Sequence, residues 1–251
     1  MTKTLRPSTA FVLAAGLGTR MRPLTNDIPK PLVKLDGKPL IDHALDRLAA
    51  AGVTRAIVNV HHHADQLEAH LAKRKRPQII ISDERGLLLE TGGGIAHALP
   101  LLGTDAFIIH NSDSVWIEGP GSNLERLLNA WDETRMDSLL LLAPATTSLG
   151  YEGRGDFFMD SNGRLTRRSG ALVAPFVFAG VSVAHPRLLD GAPKGKFSLN
   201  MPWDTAIERG RLFGVRMEGT WMHVGDPKAL KAAEDRLKND MPATARPRAC
   251  P

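Results

Sequence analysis

"FVLAAGLGTRMRPLTNDIPKPLVKL", Phe11 to Leu35, is the stretch that decides the fold. A short apolar run breaks into two glycines, an arginine follows, and three prolines and a lysine come next. An apolar run ending in glycines is how a buried first strand passes into a phosphate-binding loop in a parallel α/β sheet. Two common versions of that loop are excluded. The dinucleotide fingerprint needs a third glycine where this chain has Met21. A P-loop needs Gly-Lys-Ser/Thr, and here Gly18 is followed by Thr19 and Arg20.

Outward from this stretch, strand-like and helical runs alternate. Ala10 to Ala15 reads as the first strand, and Leu40 to Ala51 carries apolar residues at helical spacing with Gly52 as a C-cap. "RAIVNV" is a second strand, "ADQLEAHLAKR" its helix, "QIIIS" a third strand, and "AFIIH" a fourth that ends in "NSDS". "NLERLLNAW" is helical and "SLLLLA" strand-like. This rhythm predicts a Rossmann-like, doubly wound α/β fold with a mostly parallel sheet. Between about 145 and 200, glycine, arginine and runs such as "FVFAGVSV" predict a small antiparallel excursion forming one wall of a cleft. A helix over Pro202 to Arg209, two short strands and the helix "PKALKAAEDRLKN" follow. Residues 1–240 form one domain in this reading. Residues 241–251, with three prolines in the last ten, form a tail with little to pack.

Composition narrows the function. With 43% hydrophobic residues the chain can bury a full core. The single cysteine, Cys250, excludes a disulfide framework or a cysteine-rich metal site and suits a reducing cytoplasm. No apolar stretch approaches the roughly 20 residues that cross a bilayer. The first apolar run is too short for a signal-peptide core, so a cytoplasmic protein without a membrane anchor is expected. The net charge of +5 is scattered, and the one basic cluster, Lys73 to Arg76, lies where a helix should end. With aromatics at 5%, stacking on single-stranded nucleic acid is poorly served. The positive excess therefore reads as a means of gathering anionic small substrates, and nucleic acid is not an expected partner. Oligomeric state stays open.

Several residues carry chemistry. Gly16 and Gly18 let backbone N–H groups approach phosphate oxygens, and Arg20 can clamp two oxygens in a planar fork. Pro29 and Pro31 fix the backbone on either side of Lys30. Gly92, Gly93 and Gly94 in "LLLETGGGIAHAL" stand at the head of a helix, where a flat base can lie against bare backbone. Asp113, at the end of the fourth strand, suits Mg²⁺, which takes one or two carboxylates plus substrate phosphates. His61, His62 and His63 are consecutive, so their side chains point apart and do not readily share one metal.

"LAAGLGTRMRPLT" followed by "PKPL" resembles the signature of the sugar-1-phosphate nucleotidyltransferases, and the resemblance runs from about residue 8 to residue 238. It implies an NTP triphosphate on the loop, with Leu13, Ala14, Ala15, Gly16, Gly18, Thr19, Arg20 and Lys30 contacting the nucleotide. It also implies Thr91, Gly92 and Gly93 at the base, with Arg20, Lys30 and Asp113 as the catalytic set. Asn111, Gly155, Asp156, Ala179 and Gly180 fall to the sugar side. The family's second metal ligand is an aspartate two residues before a glycine. This chain has "WMHVGDP", so alignment favours His223, hardness favours Asp226, and imidazole would suit Mn²⁺ or Co²⁺ better than Mg²⁺. The compact length, "LETGGGI" and "GRGDF" look most like the N-acetylmuramate-1-phosphate uridylyltransferases of cell-wall recycling. Mannose-1-phosphate guanylyltransferase is the runner-up, and the missing "E-K-P" stretch argues against a glucose-1-phosphate thymidylyltransferase. A nucleotide-binding regulator that has lost catalysis is the alternative from another class.

Overall fold

The computed structural model describes residues 6–240, so the tail expected from residue 241 lies outside the described residues. The strands are β1 (Thr9–Leu13), β2 (Lys34–Leu35), β3 (Lys38–Pro39), β4 (Arg55–Val60), β5 (Gln78–Asp83), β6 (Phe107–Asn111), β7 (Ser114–Glu118), β8 (Ser138–Pro144), β9 (Phe157–Met159), β10 (Leu165–Arg167), β11 (Phe176–Ala184), β12 (Leu212–Arg216) and β13 (Gly219–His223). The helices are α1 (Leu40–Ala50), α2 (Ala64–Leu71), α3 (Glu90–Leu102), α4 (Asn123–Ala130), α5 (Asn200–Glu208) and α6 (Pro227–Asp240).

One nine-stranded sheet dominates. β5, β4, β1 and β6 lie side by side and parallel. β11 follows β6 and runs antiparallel to it, β8 pairs antiparallel on the other side of β11, and β12 runs parallel to β8. The short β9–β10 hairpin joins at Phe157 and Phe176. The antiparallel region thus divides in two: the hairpin extends the sheet from a single residue pair, while "FVFAGVSV" runs through it. Its pairing with β8 shifts register between Phe178 and Ser182, where Gly180 takes φ +80°. A bulge of this kind needs the left-handed region that glycine enters at little cost.

The central strands are continuously apolar because helices cover both faces. Ala10 and Val12 face one core with Ile41, Leu45 and Leu48 of α1, Leu67 and Leu71 of α2, and Leu124 and Leu127 of α4. Phe11 faces the other, with Ile95 and Ala98 of α3 and Trp203 and Ala206 of α5. The stripe in α1, at Leu40, Ile41, Ala44, Leu45 and Leu48, is fully buried. Gly52, at φ +88°, ends that segment as expected. Ser122 caps α4 by accepting from the Glu125 N–H at 3.3 Å.

A third, smaller core lies under the glycine-arginine segment. β7 and β13 form a separate antiparallel ribbon, and Val115, Met222 and Val224 pack there with Val33, Leu35 and Leu230. Met21, the residue that breaks the dinucleotide fingerprint, is fully buried in this core. Its side chain anchors the segment from below. β1 ends at Leu13, two residues short of the sequence expectation, because the Ala14 and Ala15 N–H groups leave the sheet and bond to the Asn59 side chain. α2 stops at Leu71 while Arg74 folds back onto Asp42 and Asp46 of α1. Among the described residues no helix is long and apolar enough to cross a membrane.

Candidate active site

A cavity of about 550 Å³ opens at the carboxyl ends of β1, β4 and β6. One wall is the glycine loop from Leu13 to Arg20, the floor is Lys30 with Asn111, Ser112 and Asp113, and the far wall includes Leu88, Glu90 and Thr91. The two glycines of the loop differ. Gly18 sits at φ +64°, and a Cβ there would lie 3.0 Å from the Lys30 Cβ and 3.1 Å from the Thr25 Cγ2. Its carbonyl accepts from the Thr25 hydroxyl at 2.8 Å, which folds the loop back over the lysine. A Cβ on Gly16 would meet no protein atom within 4 Å, so that bare Cα faces open cavity.

Lys30 begins a single tight turn, Lys30–Leu32, between the two prolines, with the Leu32 N–H on the Pro29 carbonyl at 2.9 Å. Its ammonium lies 2.5 Å from Oδ2 of Asp113, and the two side chains are 13% and 26% exposed. Burial pushes the Asp113 carboxyl up, but the charge and hydrogen bond of Lys30, helped by His223, hold it below its ordinary value. The Asp113 carboxylate is therefore ionised at neutral pH, in a cavity that the loop also lines. Arg20 is exposed, and among the described residues no carboxylate pairs with it.

The β7–β13 ribbon brings His223 to this floor, since His223 pairs with Ser114, the residue after Asp113. Burial lowers the imidazole pKa, with Lys30 and Arg20 adding to the effect and Asp113 and Asp226 opposing it. The ring lies against Gly225, where a Cβ would be 2.6 Å from Nε2. Asp226 makes a helix cap. It is exposed, and its Oδ1 accepts from the Ala229 N–H at 2.8 Å, capping the first turn of α6. A second cavity of about 510 Å³ borders the first at Arg20 and is lined by Tyr151, Glu152, His223, Asp226 and Lys228.

The other sequence-derived residues divide. Thr91 lines the cavity, and its hydroxyl accepts from the Leu199 N–H at 2.8 Å, leaving the hydroxyl proton to donate elsewhere. Gly92 and Gly93 lie behind the wall. Both N–H groups donate to the Phe197 carbonyl at 3.0 Å, and a Cβ on Gly92 would be 2.5 Å from the Phe197 ring. Asn111 lines the cavity, and buried Gly180 stands next to its amide. The Ala179 carbonyl accepts from the Ser114 hydroxyl. Asp156 spends one carboxylate oxygen on the Phe178 N–H at 3.0 Å, and the Gly155 N–H donates to the Tyr151 hydroxyl at 3.0 Å. These last two shape the hairpin and do not line the cavity. The histidines diverge: His61 bonds the Glu84 carbonyl at 2.7 Å and His63 the Asn26 carbonyl at 3.1 Å.

Sequence reading missed Asn59, which lines the cavity at the end of β4. The available signal was one amide among the apolar residues that follow Arg55 in that strand. Glu90 was also missed: it lines the same wall at φ +62°, a conformation that costs a non-glycine residue about 1 kcal/mol or more.

The donor set bears on a divalent cation. Among the described residues no three histidine, cysteine or acidic side chains converge on one point. One ionised carboxylate beside a phosphate loop is nonetheless what Mg²⁺ takes when the substrate phosphates complete its shell, so Asp113 fits that ion.

The MobA-like NTP transferase domain matches residues 10–147. The chain is 52% identical over 235 residues to the N-acetylmuramate alpha-1-phosphate uridylyltransferase of Caulobacter vibrioides, covering 92% of this chain and 97% of that protein. Identity is 33% over 230 residues to the protein of the same name from Neisseria meningitidis serogroup B, covering 90% and 96%. Mannose-1-phosphate guanyltransferases match at lower identity, and the chain spans 61% of their length. Among solved structures, the inositol-1-phosphate CTP transferase from T. maritima superposes with a TM-score of 0.75 at 18% identity, covering 95% of this chain and 99% of that one, which speaks to the fold alone.

Proposed function

The chain belongs to the MobA-like NTP transferase domain family, and from that premise we propose that it joins UTP to N-acetylmuramate 1-phosphate with release of pyrophosphate. The observation that carries the choice of substrates is the 52% identity to a uridylyltransferase of that specificity over 97% of its length. Transfer of a nucleotidyl group to a sugar 1-phosphate is the chemistry, and the site's residues divide it as follows.

A phosphate oxygen of the sugar 1-phosphate attacks the α-phosphorus of the NTP in line. A new P–O bond forms there, the bond to the bridging oxygen of the β-phosphate breaks, and pyrophosphate leaves with that electron pair. A phosphate dianion is already nucleophilic, so no general base is required. The work is positioning and neutralisation of charge. Loop amides from Gly16 onward and the guanidinium of Arg20 face the leaving pyrophosphate. Lys30, held by Asp113, stands between the two anionic reactants. Thr91 presents a hydroxyl proton toward the nucleoside, and Asn111 with Gly180 faces the sugar. Asp113 would hold Mg²⁺ with the substrate phosphates, His223 standing beside it, and the ion would neutralise charge developing on the phosphates. The reading places the enzyme in the cytoplasm and in cell-wall recycling, with no nucleic acid or membrane partner.

The test is pyrophosphate release with Mg²⁺, crossing UTP, GTP, CTP and dTTP against the 1-phosphates of N-acetylmuramate, N-acetylglucosamine, mannose and glucose. Turnover confined to UTP and N-acetylmuramate 1-phosphate is expected. Preference for GTP and mannose 1-phosphate would transfer the assignment to the guanylyltransferase. Nucleotide binding without pyrophosphate release is what a silent regulator would give.

A further inference from the structure

Asn59, in β4, and Glu84, just past the end of β5, are among the few buried polar side chains of the described residues, at 2% and 3% exposure. Their atoms make one connected set of bonds. The Asn59 Oδ1 accepts from the N–H groups of Ala14 at 2.6 Å and Ala15 at 3.2 Å. Its Nδ2 donates to Glu84 Oε1 at 2.7 Å, and Glu84 Oε2 accepts from the Leu89 N–H at 3.2 Å. Ala14 and Ala15 begin the phosphate wall, and Leu88 and Glu90 flank Leu89 on the opposite wall. Gly94 belongs to the same arrangement, since a Cβ there would be 2.6 Å from Glu84 Oε1 and 3.0 Å from Asn59 Nδ2. The third glycine of "TGGGI" is bare because this pair occupies the space.

We propose that Asn59 and Glu84 are positioning residues that clamp the phosphate wall of the nucleotide cleft to its opposite wall, fixing the loop for the NTP. This rests on the assignment of the cavity to an NTP. The clamp consumes two loop N–H groups and thereby decides which amides remain for the ligand, those from Gly16 onward. It also sets the width of the cleft, because both walls hang on one buried contact between β4 and the end of β5.

The hydrogen-bond polarity gives a test that loss of packing would not mimic. Asn59→Asp keeps the acceptor for Ala14 and Ala15 but turns a second carboxylate toward Glu84. Glu84→Gln supplies one acceptor and one donor where two acceptors are needed, so a donor must face either Asn59 or the Leu89 N–H. The double variant, Asn59→Asp with Glu84→Gln, restores every bond, with donor and acceptor exchanged only between positions 59 and 84. The Gln side-chain amide then donates to the Asp, and its carbonyl oxygen accepts from Leu89. Each single change should raise KM for the NTP about 10–100-fold, as expected for one or two unmet buried groups, with KM for the sugar 1-phosphate unchanged. The double variant should return to within about threefold of wild type.

Amide exchange at Ala14 and Ala15, followed by NMR without any nucleotide, should be slow in wild type, faster in E84Q and slow again in the double variant. Should N59D not fold, E84Q and the double variant carry both arms. Unchanged NTP KM in a folded E84Q, or a folded double variant no better than E84Q, overturns the proposal. A wild-type protein that binds no NTP would count against the reaction assigned above, and that is seen in the first titration, before any variant is made.

Discussion

Alanine at each of the two loop glycines should do opposite things to stability and to binding. Gly18 is held at φ +64°, where an L-residue costs roughly 1–2 kcal/mol. Its new Cβ would also press on Lys30 and Thr25 at 3.0 and 3.1 Å, so those neighbours must yield by a few tenths of an ångström. Gly18→Ala should therefore lower Tm by roughly 2–8 °C at about 2–4 °C per kcal/mol for a chain of this size. It should also lower kcat, since Lys30 is the neighbour displaced. Gly16 is outside the left-handed region and its Cβ would meet no protein atom. Gly16→Ala should leave Tm unchanged or raise it, by about 0.4–1 kcal/mol of unfolded-state entropy. Its new methyl points at the ligand's space, so KM for the NTP should rise at least about tenfold, the cost of losing one close contact. The assay is thermal unfolding beside pyrophosphate-release kinetics for both variants. A Gly16→Ala enzyme with normal Tm and normal NTP affinity would refute the argument, because no phosphate could then lie against that face of the loop.

Asp113→Asn should reduce kcat by on the order of 10²–10³ with the protein still folded, as for loss of one charge-stabilising group; steady-state kinetics with circular dichroism as control decide it. Asp226→Ala should cost about 1 kcal/mol of stability, the worth of a helix cap, and leave kcat and the metal requirement unchanged. A lost metal response there would restore Asp226 as a ligand. His223→Asp should shift the preferred cation toward Mg²⁺ and away from Mn²⁺, because a carboxylate is harder than an imidazole; the readout is the ratio of activities with the two ions. Asp137 accepts from Arg187 at 2.7 Å and Arg211 at 2.8 Å. Burial alone would raise its carboxyl pKa, but the two guanidiniums hold it below its ordinary value. A depressed folded-state pKa means stability present above the unfolded value and lost as pH falls through the folded one. Asp137→Asn should therefore cost about 1.5–3 kcal/mol near neutrality, and the gap from wild type should narrow below about pH 4, as measured by denaturant titration across pH.

The parallel half of the sheet was legible because its code is local. Largely apolar runs such as "RAIVNV" imply two covered faces, and β4 and β5 are each followed by a helix. The place of β11 was not legible, since a strand's neighbours are chosen by residues far away in sequence. "FVFAGVSV" reads the same at an edge or between β6 and β8. The β7–β13 ribbon was missed for a related reason: "SVWIE" follows "NSDS" without a turn signal of its own, and its partner lies about a hundred residues on. The loop, Lys30 and Asp113 could be read because glycine, proline and charge order are local signals. Gly92 and Gly93 could not be placed, because whether a helical glycine faces a ligand or a neighbouring carbonyl depends on Phe197. Asp226 was ambiguous in sequence and becomes a cap once α6 is seen to start beside it.

The carbonyl of Phe197 has an electrostatic consequence of its own. A helix start normally presents unfilled N–H groups and a partial positive charge. At α3 two of those donors are spent on one carbonyl oxygen, whose partial negative charge sits at the same point. The wall opposite the glycine loop thus offers an anion fewer free donors than a helix start ordinarily does, while Arg20 on the loop side has no carboxylate partner among the described residues. If the cleft takes an NTP as proposed, this asymmetry favours phosphates at the loop and the base toward α3, before any hydrogen bond reads that base.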